Sequence, residues 1–139
     1  MENRDEKTEK GAGGIRTFQD LRAYQSLYKA MLVVHKDICP TLPKEEKFNL
    51  VSQMRRASKG APALIAEGFA KRYQKKNWQK YIDDTIGESN EMIHHLSVCM
   101  DVYPNAVDVA LCRETAGLYD IASRQLYRLR ESWKNFHER

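Results

Sequence analysis

The stretch Gln53–Arg72, QMRRASKGAPALIAEGFAKR, decides the fold. With Val51 just ahead of it, Met54, Ser58, Ala61, Ile65 and Gly68 recur in alternating steps of three and four. That spacing sets all six on one stripe of a helix. The stretch is also rich in small residues: Ser58, Gly60, Ala61, Ala63 and Ala66 would let another backbone come close. Pro62 falls in mid-helix, has no N–H to give the Ser58 carbonyl, and is expected to bend the axis. Positive charge surrounds the stripe, with Arg55, Arg56 and Lys59 before the proline and Lys71 and Arg72 past the helix end. The pattern predicts a kinked, small-faced helix enclosed by others.

Working outward, the chain is 139 residues long, enough for one domain with a real core. It holds four prolines and seven glycines, and three of the glycines lie in the first fourteen residues. The rest is rich in Leu, Ala, Lys, Arg and Glu, which favours helix. Residues 1–16 open with MENRDEKTEKGAGG and are expected to form a disordered polar tail, leaving 17–139 as the domain. No apolar run approaches the roughly 20 residues that a membrane span needs. The charged N-terminus does not read as a signal peptide. Cys39, Cys99 and Cys112 are an odd number without metal-ligand spacing. They are expected to be reduced and buried, as in a cytoplasmic protein.

A first helix is expected after Thr17, with Asp20 completing a capping box and Leu21, Tyr24, Tyr28, Met31, His35 and Ile38 on its inner face. Pro40 stops it. A second helix is expected from Lys44-Glu45-Glu46 to about Ala70, and a third from Asn77 with Ile82, Ile86, Ser89, Ile93, Leu96, Met100 and Tyr103 inside. Pro104-Asn105 breaks that helix. A fourth carries Val107, Leu111, Leu118, Ala122, Leu126, Leu129, Trp133 and Phe136. Four amphipathic segments with short connections give an all-α, antiparallel up-down four-helix bundle. If helices two and three fold back around Tyr73-Gln74, residue i faces roughly residue 147 minus i. Gly60 then meets Gly87, Ser58 meets Ser89, and Arg56 pairs with Glu91. Buried, that ion pair would cost about 3–5 kcal/mol to break from one side.

These residues resemble the four-helix-bundle family named for the 23S rRNA intervening sequence. Its second-helix signature runs Gln-aliphatic-Arg-Arg-Ala, a small stretch with proline, then Ile-Ala-Glu-Gly, which matches Gln53–Arg72. Gly87-Glu88-Ser89-Asn90-Glu91 is similar to its third-helix element. Phe18-Gln19-Asp20-Leu21 is similar to its opening, and Leu118-Tyr119 through Trp133 to its last helix. Leu64 stands where members usually carry Asn, so a role for that amide does not carry over. The resemblance implies a non-enzymatic basic bundle assembling into a ring-like homopentamer. The family includes the accessory variability determinant of diversity-generating retroelements, which binds a reverse transcriptase and nucleic acid. It also includes members encoded within 23S rRNA insertions.

The charge itself is uneven. Formal net charge is +4, yet Arg55, Arg56, Lys59, Lys71, Arg72, Lys75, Lys76 and Lys80 face only Glu67 within residues 55–80, a local +7. Tyr73 and Trp78 are interleaved as candidate stacking surfaces for RNA or single-stranded DNA. Arg124, Arg128, Arg130 and Lys134 mark a second basic set. Against this stands a solvated face whose lysine stems cover apolar surface. The aromatic ridges of Tyr24, Tyr28, Trp78, Tyr81, Tyr119, Tyr127 and Trp133 exceed what a four-helix core should hide and point to a subunit interface. Adjacent His94 and His95 cannot share one metal face, and His35 reads as a satisfied core histidine. Glu67 is expected to bond Arg or Lys near its helix end, and Asp83-Asp84 reads as exposed acidity. No phosphate loop, nucleophile–base pair or metal spacing is present, so no cofactor, metal or enzymatic activity is expected. The alternative to nucleic-acid binding is a protein-interacting oligomeric scaffold.

Overall fold

The signature stretch is helical from Gln53 to Phe69, and residues 70–72 form the turn that follows. The computed structural model describes residues 14–137, with side chains as far as Trp133. Four long helices follow one another: α1 (Arg22–Val33), α2 (Leu50–Phe69), α3 (Lys75–Val102) and α4 (Val109–His137). There is no strand among the described residues. Each helix packs on its neighbours in sequence, and α1 closes the ring against α4, so the molecule is a four-helix bundle. Cross-helix pairs fix the directions. Arg56–Glu91 and Lys71–Tyr81 join α2 and its C-terminal turn to α3, while Ser89–Ser123 and Asp83–Arg130 join α3 to α4. In both cases the residue number rises on one helix as it falls on the other, so both pairs are antiparallel.

Most of the expected tail, residues 1–13, lies outside the described residues; Ile15, near its end, is buried in the core. The Thr17–Asp20 capping box forms, with the Asp20 carboxylate accepting from the Thr17 amide at 3.1 Å. It caps a short 3-10 turn, Phe18–Asp20; Leu21 is extended, and α1 starts only at Arg22. The inner face of α1 is Ala23, Leu27, Ala30 and Val34, one position away from the expected Tyr24, Tyr28, Met31 and His35. Alanines bring the helix close, and the tyrosines take the flank, where their hydroxyls reach water. There Tyr24 meets Phe18 edge-on at 4.9 Å and stacks on Tyr28 at 5.8 Å. Past Val33 the helix widens into a π turn, Val34–Ile38, before Pro40.

Helix α2 begins at Leu50, not at Lys44. Lys44–Glu46 is a separate 3-10 turn, and Asn49 leaves the helical region at φ −130° and ψ −100°. Glu46 then turns back to accept from the Leu50 amide at 3.1 Å and from the Tyr103 hydroxyl. Five of the six stripe residues are buried: Met54, Ser58, Ala61, Ile65 and Gly68; Val51 is half-buried. Gly60, Ala63 and Ala66 are not among the buried small residues.

The expected meeting of Gly60 with Gly87 does not occur. A Cβ at Gly87 would meet open space, and one at Gly60 would meet only the Glu88 carboxylate, at 3.6 Å. The close approach is at Gly68, where a Cβ would sit 2.5 Å from that of Tyr81. The mirror rule explains the shift: residue i faces 147 minus i at Arg56, but 149 minus i at Gly68. Ser58 and Ser89 likewise bond elsewhere. Ser58 Oγ lies 3.0 Å from His35 Nε2, whereas Ser89 donates to the Tyr119 carbonyl at 3.0 Å and accepts from Ser123 at 3.1 Å.

In α3 the buried face shifts after Ser89 to Met92, His95, Leu96 and Cys99, leaving Ile93, Met100 and Tyr103 half-buried. In α4 Cys112, Thr115 and Tyr119 are buried where Leu111 and Leu118 are expected; the Phe136 side chain lies outside those described. At one end of the bundle Phe69, Trp78 and Trp133 pack edge to face at 5.7–6.2 Å. Together with Tyr119 these rings are almost fully enclosed within one chain. The core therefore hides more of the aromatic ridges than the sequence pattern implies. Cys39, Cys99 and Cys112 are free and buried, and burial pushes the Cys99 thiol up to about 12.

Candidate nucleic-acid interface

The turn joining α2 to α3 and the start of α3 hold most of the expected phosphate contacts, and several of these cations have partners within the chain. Lys71 donates to the Tyr81 hydroxyl at 3.1 Å and lies over its ring, and that hydroxyl donates to Glu67 at 2.9 Å. Glu67 thus reaches a lysine through a tyrosine. Arg72 donates to the Phe69 carbonyl at 2.9 Å, which satisfies a backbone acceptor at the end of α2. Its guanidinium sits 4.1 Å from the Phe69 ring centre and 4.6 Å from that of Tyr73. Lys80 pairs with Asp84 at 2.9 Å. Lys75 is half-buried, and Lys76 is exposed.

Trp78, expected to offer a stacking face, is only 1% exposed and belongs to the core. It stands one turn into α3, where the stripe points inward toward Phe69 and Trp133. Tyr73 keeps its ring in solvent.

The second basic set is also largely matched. Arg124 pairs with Asp120 at 2.8 Å and Arg130 with Asp83 at 3.0 Å. Asp83 and Asp84 are therefore exposed but partnered. Arg128 is exposed, and the Lys134 side chain lies outside those described.

The outer face of α2 differs. A shallow groove there is lined by Lys47, Phe48, Val51, Arg55, Lys59 and Ala63, with Arg56 and Gly60 at the side toward Glu88; among the described residues its lining includes no carboxylate. Arg55 and Lys59 are exposed. Phe48 is 88% exposed, the most open of the large apolar side chains described, and the Lys47 ammonium lies 5.3 Å from its ring centre. Phe48 and Lys47 are the residues that the sequence reading missed. A helix starting at Lys44 would have placed them inside its first turns, whereas they form the turn ahead of α2. The available signal is a lone apolar residue off the stripe, between Lys47 and Asn49.

Arg56 leaves the groove to meet Glu91 at 3.0 Å, as the mirror rule predicts, with Glu88 3.8 Å away. The Arg56 side chain is 61% exposed. The pair therefore has the worth of a surface ion pair, less than about 1 kcal/mol, and the figure for a buried pair does not apply. Glu91 also lies 3.0 Å from Nε2 of the buried His95. Burial, then the neighbouring Glu91, raises the Glu88 carboxyl above its usual range. His35, half-buried against Ser58, is lowered by burial and then by the Arg55 charge. Among the described residues no group of three or more His, Cys, Asp or Glu is placed to hold a metal ion.

No curated protein matches the chain. A family model does, that of the 23S rRNA-intervening sequence protein, over residues 19–108. The match runs from the first capped turn through α1, α2 and α3, so it takes in the groove, the α2–α3 turn and the Arg56–Glu91 pair. It spans well over half the chain, and the chain belongs to the 23S rRNA-intervening sequence protein family.

Proposed function

We propose that this is a non-enzymatic, oligomeric protein that binds the phosphate backbone of RNA or single-stranded DNA together with a partner protein. Its closest role is that of a retroelement accessory factor assisting a reverse transcriptase, as the accessory variability determinant does. One observation carries the nucleic-acid part: three cations, Lys47, Arg55 and Lys59, beside a groove whose lining, among the described residues, includes no carboxylate. Cations without acidic neighbours keep their field in solvent and can release phosphate counterions on binding. The partner protein and the retroelement role rest on the resemblance of the signature helix.

Assembly into a homo-oligomer, with five subunits as the resemblance implies, would repeat the groove around a ring. Tyr28 and Leu32 on α1 and Ile121 and Tyr127 on α4 are exposed apolar surface that subunits could cover. The buried, free cysteines support a reducing, cytoplasmic setting. No helix of the described residues is long and apolar enough to cross a membrane.

A titration of the protein with single-stranded RNA at several salt concentrations, beside light scattering, tests the reading. The logarithm of affinity is expected to fall with the logarithm of salt by about 0.7 per phosphate contacted. A mass several times that of one chain is expected at micromolar concentration. No affinity for RNA or single-stranded DNA at low salt would leave the scaffold reading, which the internally paired charges of α4 favour.

A further inference from the structure

The groove on α2 is more than a run of charge, because an aromatic ring stands open at its head. Phe48 lies in the turn between Lys44–Glu46 and α2. That turn is held by its own backbone: the Lys47 amide bonds the Lys44 carbonyl and the Asn49 amide bonds that of Glu46, both at 3.0 Å. The adjacent carboxylate of Glu46 is turned away, bonded to the Leu50 amide and the Tyr103 hydroxyl. The ring is thus presented on an ordered turn, flanked by Lys47, and continued along the helix by Arg55 and Lys59. Arg55 and Lys59 are one helical turn apart, about 6 Å along the axis.

We propose that Phe48 is a base-stacking platform, and that the groove selects unpaired polynucleotide over duplex. This rests on the polyanion reading above and adds the ligand's class to it. Every base has a face on which a phenyl ring can stack, and that face is accessible only where the base is not stacked within a helix. The lysines and arginine contact phosphates on either kind of strand, so charge alone cannot discriminate. An open aromatic ring beside them gains contact area only from an unpaired base. Its stacking neutralises no phosphate, so ring and charges leave separate signatures in a salt series.

The test compares the full chain, Phe48→Ala and Phe48→Trp against an unpaired oligonucleotide and a duplex of equal length, at several salt concentrations. Alanine is expected to weaken unpaired binding about tenfold, while duplex affinity and the salt slope stay as they were. Tryptophan is expected to keep the affinity. Its surface indole should be quenched by the unpaired oligomer and not by the duplex, because Trp78 and Trp133 are buried and out of reach. Circular dichroism and light scattering on each variant guard the comparison. Equal affinity of Phe48→Ala and wild type for unpaired strands overturns the stacking role and leaves the polyanion reading standing. A fall in oligomer mass for Phe48→Ala makes the ring a subunit contact and also overturns it. Absence of binding to either nucleic acid at low salt removes both readings together.

Discussion

The outer face of α2 and the surface from the α2–α3 turn to α4 are both rich in lysine and arginine, but their charges are disposed differently. Lys80 and Arg124 each find an aspartate four residues away on their own helix, Arg130 finds Asp83 across α3 and α4, and Lys71 reaches Glu67 through Tyr81. Along the groove of α2, the described residues place no carboxylate in the lining beside Arg55 and Lys59. Counting cations along the chain treats the two regions alike. A cation that already has an oxygen partner must exchange it to bind a phosphate, so its net gain is small. One that faces water exchanges only solvent and diffuse counterions. The helix period decides which case applies: an acid at i+4 or i−4 stands beside its base, and α2 has none at those positions around Arg55 and Lys59.

The largest effect should come from breaking this contrast directly. Arg55→Glu with Lys59→Glu is compared with Lys80→Glu and Arg124→Glu. Each reversal removes two units of charge, so both double variants carry the formal net charge from +4 to zero. Bulk charge is then matched. The α2 variant is expected to lose at least tenfold in affinity for single-stranded RNA, with a salt slope shallower by about 1.4 from two lost contacts. The matched variant should lose several-fold less. Equal losses would mean that the protein acts through its overall field, and the groove would have no special standing.

A middle-sized effect separates structural from binding cations within the turn. Arg72 donates to the Phe69 carbonyl and stacks between two rings, so it belongs to the end of α2 as much as to any ligand surface. Arg72→Ala is expected to lower stability by about 1 kcal/mol, the worth of one hydrogen bond with its packing. Lys76→Ala, on an exposed side chain of the same turn, should change stability by less than about 0.5 kcal/mol. Urea denaturation of the two variants reads the difference. A charge reversal of the whole turn is therefore expected to perturb folding through Arg72 as well as any binding.

What was legible in the sequence follows the strength of each physical signal. The four helices and the stripe Met54, Ser58, Ala61, Ile65 were plain because one periodicity ran across twenty residues with nothing to compete. The Arg56–Glu91 pair followed from two antiparallel helices and a turn position. Leu21 and Ile38 are buried as expected, but between them the inner face lies one residue from the expected one, because alanines at 23 and 30 carry little apolar signal beside tyrosines at 24 and 28. The start of α2 lies later than the sequence suggests because Lys44–Glu46 looks like any first helical turn, while residues 47–49 form a turn and Asn49 leaves the helical region. That single misplacement concealed Phe48. Trp78 reads as outward in the sequence because no one periodicity joins it to its partners: Phe69 lies across the α2–α3 turn and Trp133 on α4.

The smallest effect sharpens the contrast from inside the molecule. His35 sits behind the groove, bonded to Ser58, with its basicity lowered first by burial and second by the charge of Arg55. A base held below its ordinary value is protonated later in the folded chain than in the unfolded one. Its contribution to stability is therefore full above about pH 6.5, the ordinary histidine value, and is lost as pH falls below it. Arg55→Gln removes the second cause and keeps the first, so the His35 titration followed by proton NMR should move upward but stop short of the ordinary value. The acid-side loss of stability should become correspondingly smaller. Added salt should move the wild-type resonance the same way, because it screens Arg55 and Lys59. An oligonucleotide seated in the groove should move it further, since phosphates stabilise the imidazolium. Lys80→Gln, whose ammonium is already matched by Asp84, should leave it where it was. If His35 ignores Arg55→Gln and responds to Lys80→Gln, the uncompensated field lies on the α3 side, and the groove is not where a polyanion would settle.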